Sequence, residues 1–217
     1  MFHQMKSLFY SFEQRLYQSG LANPGDALLG ITGPTPAWSA ADAACQVLSP
    51  LFHQLNINAL IFIRPAEPYA AIMDYLAATA PDGIIRPEDC ETRMFLHDIP
   101  VADRFSTEAL AAPLKRRKCV VIPGAGILAH GSDGIAQPFV AVSSVCFAGF
   151  VKFFSDMLHE ARSGGLSPRS RRMLKLAANH LPSPPGFTDR LAKGPFRTRN
   201  QIHSAITEAG GKMVFLQ

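Results

Sequence analysis

Phe2, Met5, Phe9, Phe12 and Leu16 recur at steps of three and four residues, the spacing of one apolar helix face. A helix ending near Gly20 is expected. Asn23-Pro24-Gly25-Asp26 predicts a turn, and residues 27–31 a short strand stopped by Thr32-Gly33-Pro34. Ser39 and Asp42 have the spacing of a capping box and open a helix that carries Ala43, Ala44, Val47 and Leu51. Asn58-Ala-Leu-Ile-Phe-Ile63 runs apolar and predicts a buried strand. Pro68 suits the first turn of the next helix, through Met73 and Leu76, where its missing N–H costs little.

Residues 93–96 read as a strand and Thr107–Leu114 as a helix. Cys119-Val-Val-Ile122 predicts a buried strand entering Pro123-Gly-Ala-Gly126, and residues 127–129 continue the sheet. A long helix starts at Asp133 or Gly134 and runs to about Arg162, with Val142, Val145, Cys146, Gly149, Phe153 and Met157 at helical spacing. Beyond Gly164-Gly165 the chain is basic and broken by prolines. Helices are expected around 171–180 and 199–209, with a short strand over 213–216. Helices and strands alternate throughout, which suits an α/β sandwich with helices flanking one sheet. The expected organisation is one domain over 1–165 and a basic appendage over 166–217, too poor in apolar residues for a core of its own and packed on the same domain.

Composition narrows the class. Hydrophobic residues are 47% of the 217 and charged residues 18%, which excludes a disordered chain. The net charge of +4 hides a split: residues 1–110 carry a net −6 and residues 111–217 a net +10. Cys45, Cys90, Cys119 and Cys146 form no CxxC pair, so reduced thiols in a cytoplasmic protein are expected. Glu13 and Arg15 interrupt the N-terminal stretch, which lacks the pattern of a signal peptide. The most apolar run, 139–151, ends at Lys152 and falls short of the ~20 residues of a membrane span. A soluble protein with no membrane partner is the expectation.

The phrase Asn-Ala-Leu-Ile-Phe-Ile-Arg over 58–64 lies between two helices. It is followed by Ile99-Pro100, a helix ending in Lys115-Arg116-Arg117-Lys118, the phrase Cys-Val-Val-Ile-Pro-Gly-Ala-Gly-Ile-Leu-Ala over 119–129, and a long helix. This order, over roughly 38–162, resembles the class II aldolase/adducin family. The resemblance implies a three-layer α/β/α sandwich around a mostly antiparallel sheet, and a homo-oligomer, often a C4 tetramer. It also implies a divalent metal held by an H-x-H at the end of a strand like 58–64 and by an H-H-G phrase at the end of a strand like 119–122.

This chain departs from that pattern. The H-x-H falls on Phe62-Ile63-Arg64, and the ligand histidine of H-H-G falls on Ala125, with Gly126 retained. Phe and Ala offer no donor atoms and Arg repels a cation. The expectation is therefore no metal and no cofactor. The catalytic carboxylate falls nearest Asp42, as general acid or base; equally, Asp42 caps its own helix. Thr32, Gly33 and Ser39 are the remnants of the phosphate-binding loops, or plain turn residues. Arg64 stands where a metal ligand would be, either holding a carboxylate or phosphate in its place or pairing with an acid such as Glu67. Gly124, Gly126 and His130 complete the candidate ligand-binding set.

Other constellations are explained structurally. The run from Lys115 to Lys118 complements a helix dipole. Phe147, Phe150, Phe153 and Phe154 ring one helix as core or subunit interface. Aromatics such as Phe187 and Phe196 are few among the basic residues of the tail, so a nucleic-acid partner is not expected. Three functions follow. The first is a divergent class II aldolase-like protein without the histidine metal site, binding a small anionic, sugar-phosphate-like metabolite without metal-dependent aldol cleavage. The second is a sugar-phosphate lyase or isomerase with a site relocated to Asp42, His130 or His97. The third is an assembly or nucleic-acid-associated protein using the basic tail.

Overall fold

The computed structural model describes residues 2–180. The helix expected over 199–209 and the strand over 213–216 lie outside the described residues. The chain divides at 155/156 into two compact units.

The first unit opens with α1 (Phe2–Gln18), whose Phe9, Phe12 and Leu16 are buried as the periodicity predicts. β1 (Ala22–Ile31) follows. The expected turn at 23–26 falls within the span of this strand: Ala22 pairs with Pro65 and Ala27 with Ile63, so the intervening residues bulge out between two paired stretches. Gly25, at φ +88, accommodates the kink. β2 (Ala37–Trp38) returns beside it, and α2 (Ala44–Leu55) begins later than the capping box predicts. Asp42 does accept the Ala44 N–H at 2.8 Å, but Ser39 is drawn into the sheet. The Ser39 N–H donates to the Leu29 carbonyl at 2.8 Å, and its hydroxyl accepts the Leu29 N–H at 3.1 Å.

β3 (Ala59–Pro65) is buried from Ala59 to Ile63, as its unbroken apolar run requires. α3 (Tyr69–Thr79) leads to β4 (Ile84–Ile85). The segment read as a strand over 93–96 is helical: α4 spans Cys90–Leu96. The deciding group is Asp89, which accepts the Thr92 N–H at 2.7 Å and caps the helix N-terminus, overriding the short apolar run. β5 (Ile99–Pro100) pairs with β4, and α5 (Thr107–Leu114) is capped by the Ser106 hydroxyl. β6 (Cys119–Ile122) and β7 (Gly126–Gly131) form a hairpin, and α6 (Ala136–Ser163) closes the unit and runs past it.

The main sheet has the order β2-β1-β3-β7-β6, with every neighbouring pair antiparallel. Alternation along the strands gives it two apolar faces. Leu28, Leu60, Phe62, Val120 and Leu128 meet Leu48, Leu51 and Phe52 of α2 and Leu110 and Leu114 of α5. Leu29, Ile61, Ile63, Ile127 and Ala129 alternate with these and are buried on the other side, which α1, α3 and α6 cover. Aromatic contacts tie those three helices: Phe12 to Phe139, Tyr69 to Phe150, and Tyr75 to Phe153. The result is three layers, helix–sheet–helix.

α6 is longer than the apolar run that predicts it, and by length and composition alone it would cross a membrane. Its Ala141, Val142, Val145, Cys146 and Ala148 are instead buried in protein. It is a core helix.

In the second unit, α7 (Pro168–His180) follows the turn after α6. Glu160 organises its start. The carboxylate accepts the Ser167 N–H at 2.7 Å and the Ser170 hydroxyl at 2.5 Å, and these bonds hold it below the usual carboxylate range.

Candidate functional site

β3 is buried for five residues and then leaves the core at Arg64. A two-residue period puts Phe62 and Arg64 on one side of the strand. The guanidinium carbon lies 5.6 Å from the Phe62 ring centroid, and that ring packs at 5.1 Å on Phe105. Ala125 packs against the same cluster. The side of the strand where the resemblance implies paired histidines thus carries a phenyl ring and a guanidinium. Neither supplies a lone pair, and a second positive charge beside the guanidinium is repelled. The residues present do not fit a divalent metal at this place. Among the described residues, no group of three or more His, Cys, Asp or Glu gathers to hold one elsewhere.

The turn between β6 and β7 lies against this strand end. Gly126 has φ +149, and a Cβ there would sit 2.0 Å from the Ile63 carbonyl oxygen and 3.1 Å from the Phe62 ring. Only glycine allows this approach. Gly124 has φ +71, and its N–H donates to Asp74 Oδ1 of α3 at 2.9 Å.

Asp42 reaches the same rim from the other helical layer. One carboxylate oxygen caps α2, and the other meets an Arg64 guanidinium nitrogen at 3.5 Å. That contact is long. The Arg64 side chain is 49% exposed, and among the described residues its remaining donors have no protein partner. A cavity of about 130 Å³ opens beside it, lined by Arg64, Asp74, Met73, Ile122, Ile127 and the 124–126 turn, among others. Asp42 lies at its edge, outside the lining. Sequence reasoning missed Asp74. The available signal was a lone charge in the otherwise uncharged helix YAAIMDYLAAT.

The other five candidates lie elsewhere. The Thr32 N–H donates to the Asn58 carbonyl at 2.9 Å, which places Thr32 and Gly33 at the opposite end of β3. Six residues separate Asn58 from Arg64, roughly 20 Å along a strand. His130 pairs with Leu60 toward that same far end. Its Nε2 lies 3.0 Å from the Leu114 carbonyl and 3.1 Å from the Arg117 carbonyl, so it donates to both. Burial holds this imidazole below its ordinary range, against the partial offset of those two carbonyls. His97 closes α4 as its C-cap. Ser39 belongs to the β1 ladder. No thiol offers a ready nucleophile in the core: burial pushes Cys119 and Cys146 up to about 12.

No family model matches the sequence, and no curated protein matches it. Solved structures do. The crystal structure of L-fuculose-1-phosphate aldolase from Thermus thermophilus superposes with a TM-score of 0.61 at 12% identity, covering 76% of this chain and 99% of that one. A second L-fuculose 1-phosphate aldolase gives 0.59 at 14% identity, covering 81% and 95%. YgbL from Klebsiella pneumoniae, described as a candidate aldolase/epimerase/decarboxylase, gives 0.56 at 13% identity, covering 80% and 98%.

The fold is that of the class II aldolases and adducin. At such identities the likeness establishes architecture and carries no activity with it. The class II aldolase fold explains the antiparallel sheet between two helical layers and the rim on which Arg64, Asp42 and the 124–126 turn converge.

Proposed function

We propose that this chain binds a small metabolite bearing an anionic group, carboxylate or phosphate, at the Arg64 rim, without metal-dependent aldol cleavage. One observation carries the reading: a half-exposed guanidinium faces a cavity with most of its donors unspent. Arginine presents five N–H donors in a planar fork suited to such anions. Its single long contact with Asp42 leaves that fork free to turn toward a ligand. Gly124 has open space where a Cβ would stand, so a ligand can approach the backbone closely there. Asp42, fixed at the start of α2, serves as general acid or base at the pocket edge.

The sugar phosphates named for the L-fuculose-1-phosphate aldolases are one source of the anion. A sugar-phosphate lyase or isomerase is the second reading, supported by the proximity of Asp42 to Arg64 at 3.5 Å. The proposal includes a cytoplasmic homo-oligomer, with the tetramer drawn from the fold's resemblance. Light scattering of the purified chain tests the assembly.

The central test is titration of the purified chain with inorganic phosphate, simple carboxylates and L-fuculose 1-phosphate. Binding is expected for at least one anion, and Arg64→Gln should weaken it at least tenfold, as for a lost charge-assisted hydrogen bond. Absence of any anion binding, or binding indifferent to Arg64, overturns the reading. Stoichiometric zinc in the purified protein would overturn the metal-free part, and retro-aldol turnover with L-fuculose 1-phosphate would favour the second reading.

A further inference from the structure

The Arg64 pocket has a second charged wall that the anion reading leaves unused. Asp74 spends one carboxylate oxygen on the Gly124 N–H at 2.9 Å, and its Oδ2 has no protein partner among the described residues. Among the described residues, Arg64 and Asp74 are the only charged side chains in the lining, one of each sign. Among the described residues no hydroxyl, amide or imidazole side chain joins them; Met73, Val121, Ile122 and Ile127 supply apolar surface.

We infer that this pocket takes a compact amino acid, with its carboxylate on Arg64 and its ammonium on Asp74. The inference rests on the anion reading at Arg64 and adds Asp74 as the residue that determines specificity. Two arguments lead there. The first is chemical matching. A carboxylate has about four lone-pair sites, so Asp74 still accepts after serving Gly124, and an ammonium with three donors suits it. A polyhydroxylated chain would instead leave most of its hydroxyls facing apolar side chains, each at a desolvation cost. The second argument is size. The cavity of about 130 Å³ is slightly smaller than the ~150 Å³ that admits benzene. A body of about six heavy atoms, the size of alanine, seats within that space, and the end of a slightly longer amino acid extends from its open side.

The test compares each amino acid with the acid that lacks its amine. Affinities of the full chain for alanine and 4-aminobutyrate are measured against propionate and butyrate, with inorganic phosphate alongside. The same series is run on D74N and D74S. Asparagine keeps a carbonyl oxygen for the Gly124 N–H, so the turn survives while the charge is lost; serine checks that the outcome is not peculiar to the amide. At least one amino acid should bind about tenfold more tightly than its deaminated partner, the worth of one charge-assisted contact. D74N should erase that ratio, and propionate and butyrate should bind no more weakly than before, because a like charge has left the pocket. If carboxylates or phosphate bind through Arg64 but the amine adds nothing, or its advantage survives in D74N and D74S, the Asp74 inference is wrong and the anion reading stands. If no probe binds, with or without an amine, both fall together.

Discussion

Arg117 and Arg64 stand at opposite ends of the central sheet and are used in opposite ways. Arg117 donates to both oxygens of Asp98, at 2.5 and 2.7 Å, while its carbonyl accepts from His130 at 3.1 Å. Its charge and its backbone are both committed to the frame. Arg64 makes one contact at 3.5 Å and leaves the rest of its fork open beside a cavity. Residue type does not separate them, since both are arginines flanking core strands. Unspent hydrogen-bonding capacity does. A frame residue has its donors matched, because an unmatched group in a protein costs free energy; a ligand-binding residue keeps donors in reserve for the molecule it meets.

The reserve at the Arg64 end depends on a rigid turn, which gives the largest expected effect. Gly126→Ala drives a Cβ to 2.0 Å from the Ile63 carbonyl at φ +149. Backbone strain and overpacking together should cost about 3 kcal/mol, read as a fall in the urea midpoint. A loss below about 1 kcal/mol would mean that the rim turn yields easily and that the pocket wall is not held by this approach.

At the other end, His130→Ala should cost about 2 kcal/mol, through lost packing and two undonated carbonyls. The pH dependence has a definite sign. Burial lowers the folded imidazole below its ordinary 6.5, and the Lys118 charge adds in the same direction. The unfolded chain therefore takes up the proton first as pH falls. Stability declines below about pH 6.5 and levels off once the folded imidazole is also protonated. H130Q should flatten that decline. A decline unchanged in H130Q would remove His130 from the frame.

How far the sequence could be read follows the same division between committed and reserved groups. The strands 59–63 and 119–122 and the helix Thr107–Leu114 were legible because unbroken apolar runs and helical periodicity are set by burial, which acts on whole segments. The segment 93–96 misled because a run of four residues has no period, and the decisive signal was the cap at Asp89, four residues upstream. The turn expected at 23–26 survives as a bulge inside a strand: those residues loop out between the pairs Ala22–Pro65 and Ala27–Ile63. Within the site, Arg64, Asp42, Gly124 and Gly126 do converge, whereas Thr32, Gly33 and His130 lie at the far end of β3. Their separation is a matter of strand direction, which spacing along the chain does not encode. Asp74 went unseen for a related reason: its partner Gly124 is fifty residues away, and only the packing of α3 beside the β6–β7 turn brings them together.

The committed pair itself offers a smaller effect. Asp98→Asn should cost about 1 kcal/mol, because both side chains are near the surface and water screens them. Hydrogen bonds from Arg117 hold the Asp98 carboxyl below its ordinary 3.8. A lowered carboxylate stabilises the fold above its unfolded value, and that contribution disappears as pH falls through the folded value. The loss therefore belongs below about pH 3.8, and acid titration of D98N against the unsubstituted chain should show it missing.

The smallest expected effect on stability is the one that tests the comparison most directly. Arg64→Gln removes a charge whose side chain is 49% exposed and whose one ion pair spans 3.5 Å. Exposed pairs of this kind contribute little, so the change should stay within about 0.5 kcal/mol in chemical unfolding. Asp42 loses little with it, because its other oxygen still caps α2 at 2.8 Å. Anion binding should nevertheless fall, since the guanidinium fork is what the pocket presents. The decisive result is therefore a split between two measurements on one variant: stability kept, binding lost. If Arg64→Gln instead destabilises the fold by about 2 kcal/mol, Arg64 is a frame residue like Arg117, and the reserve on which ligand binding depends is not there.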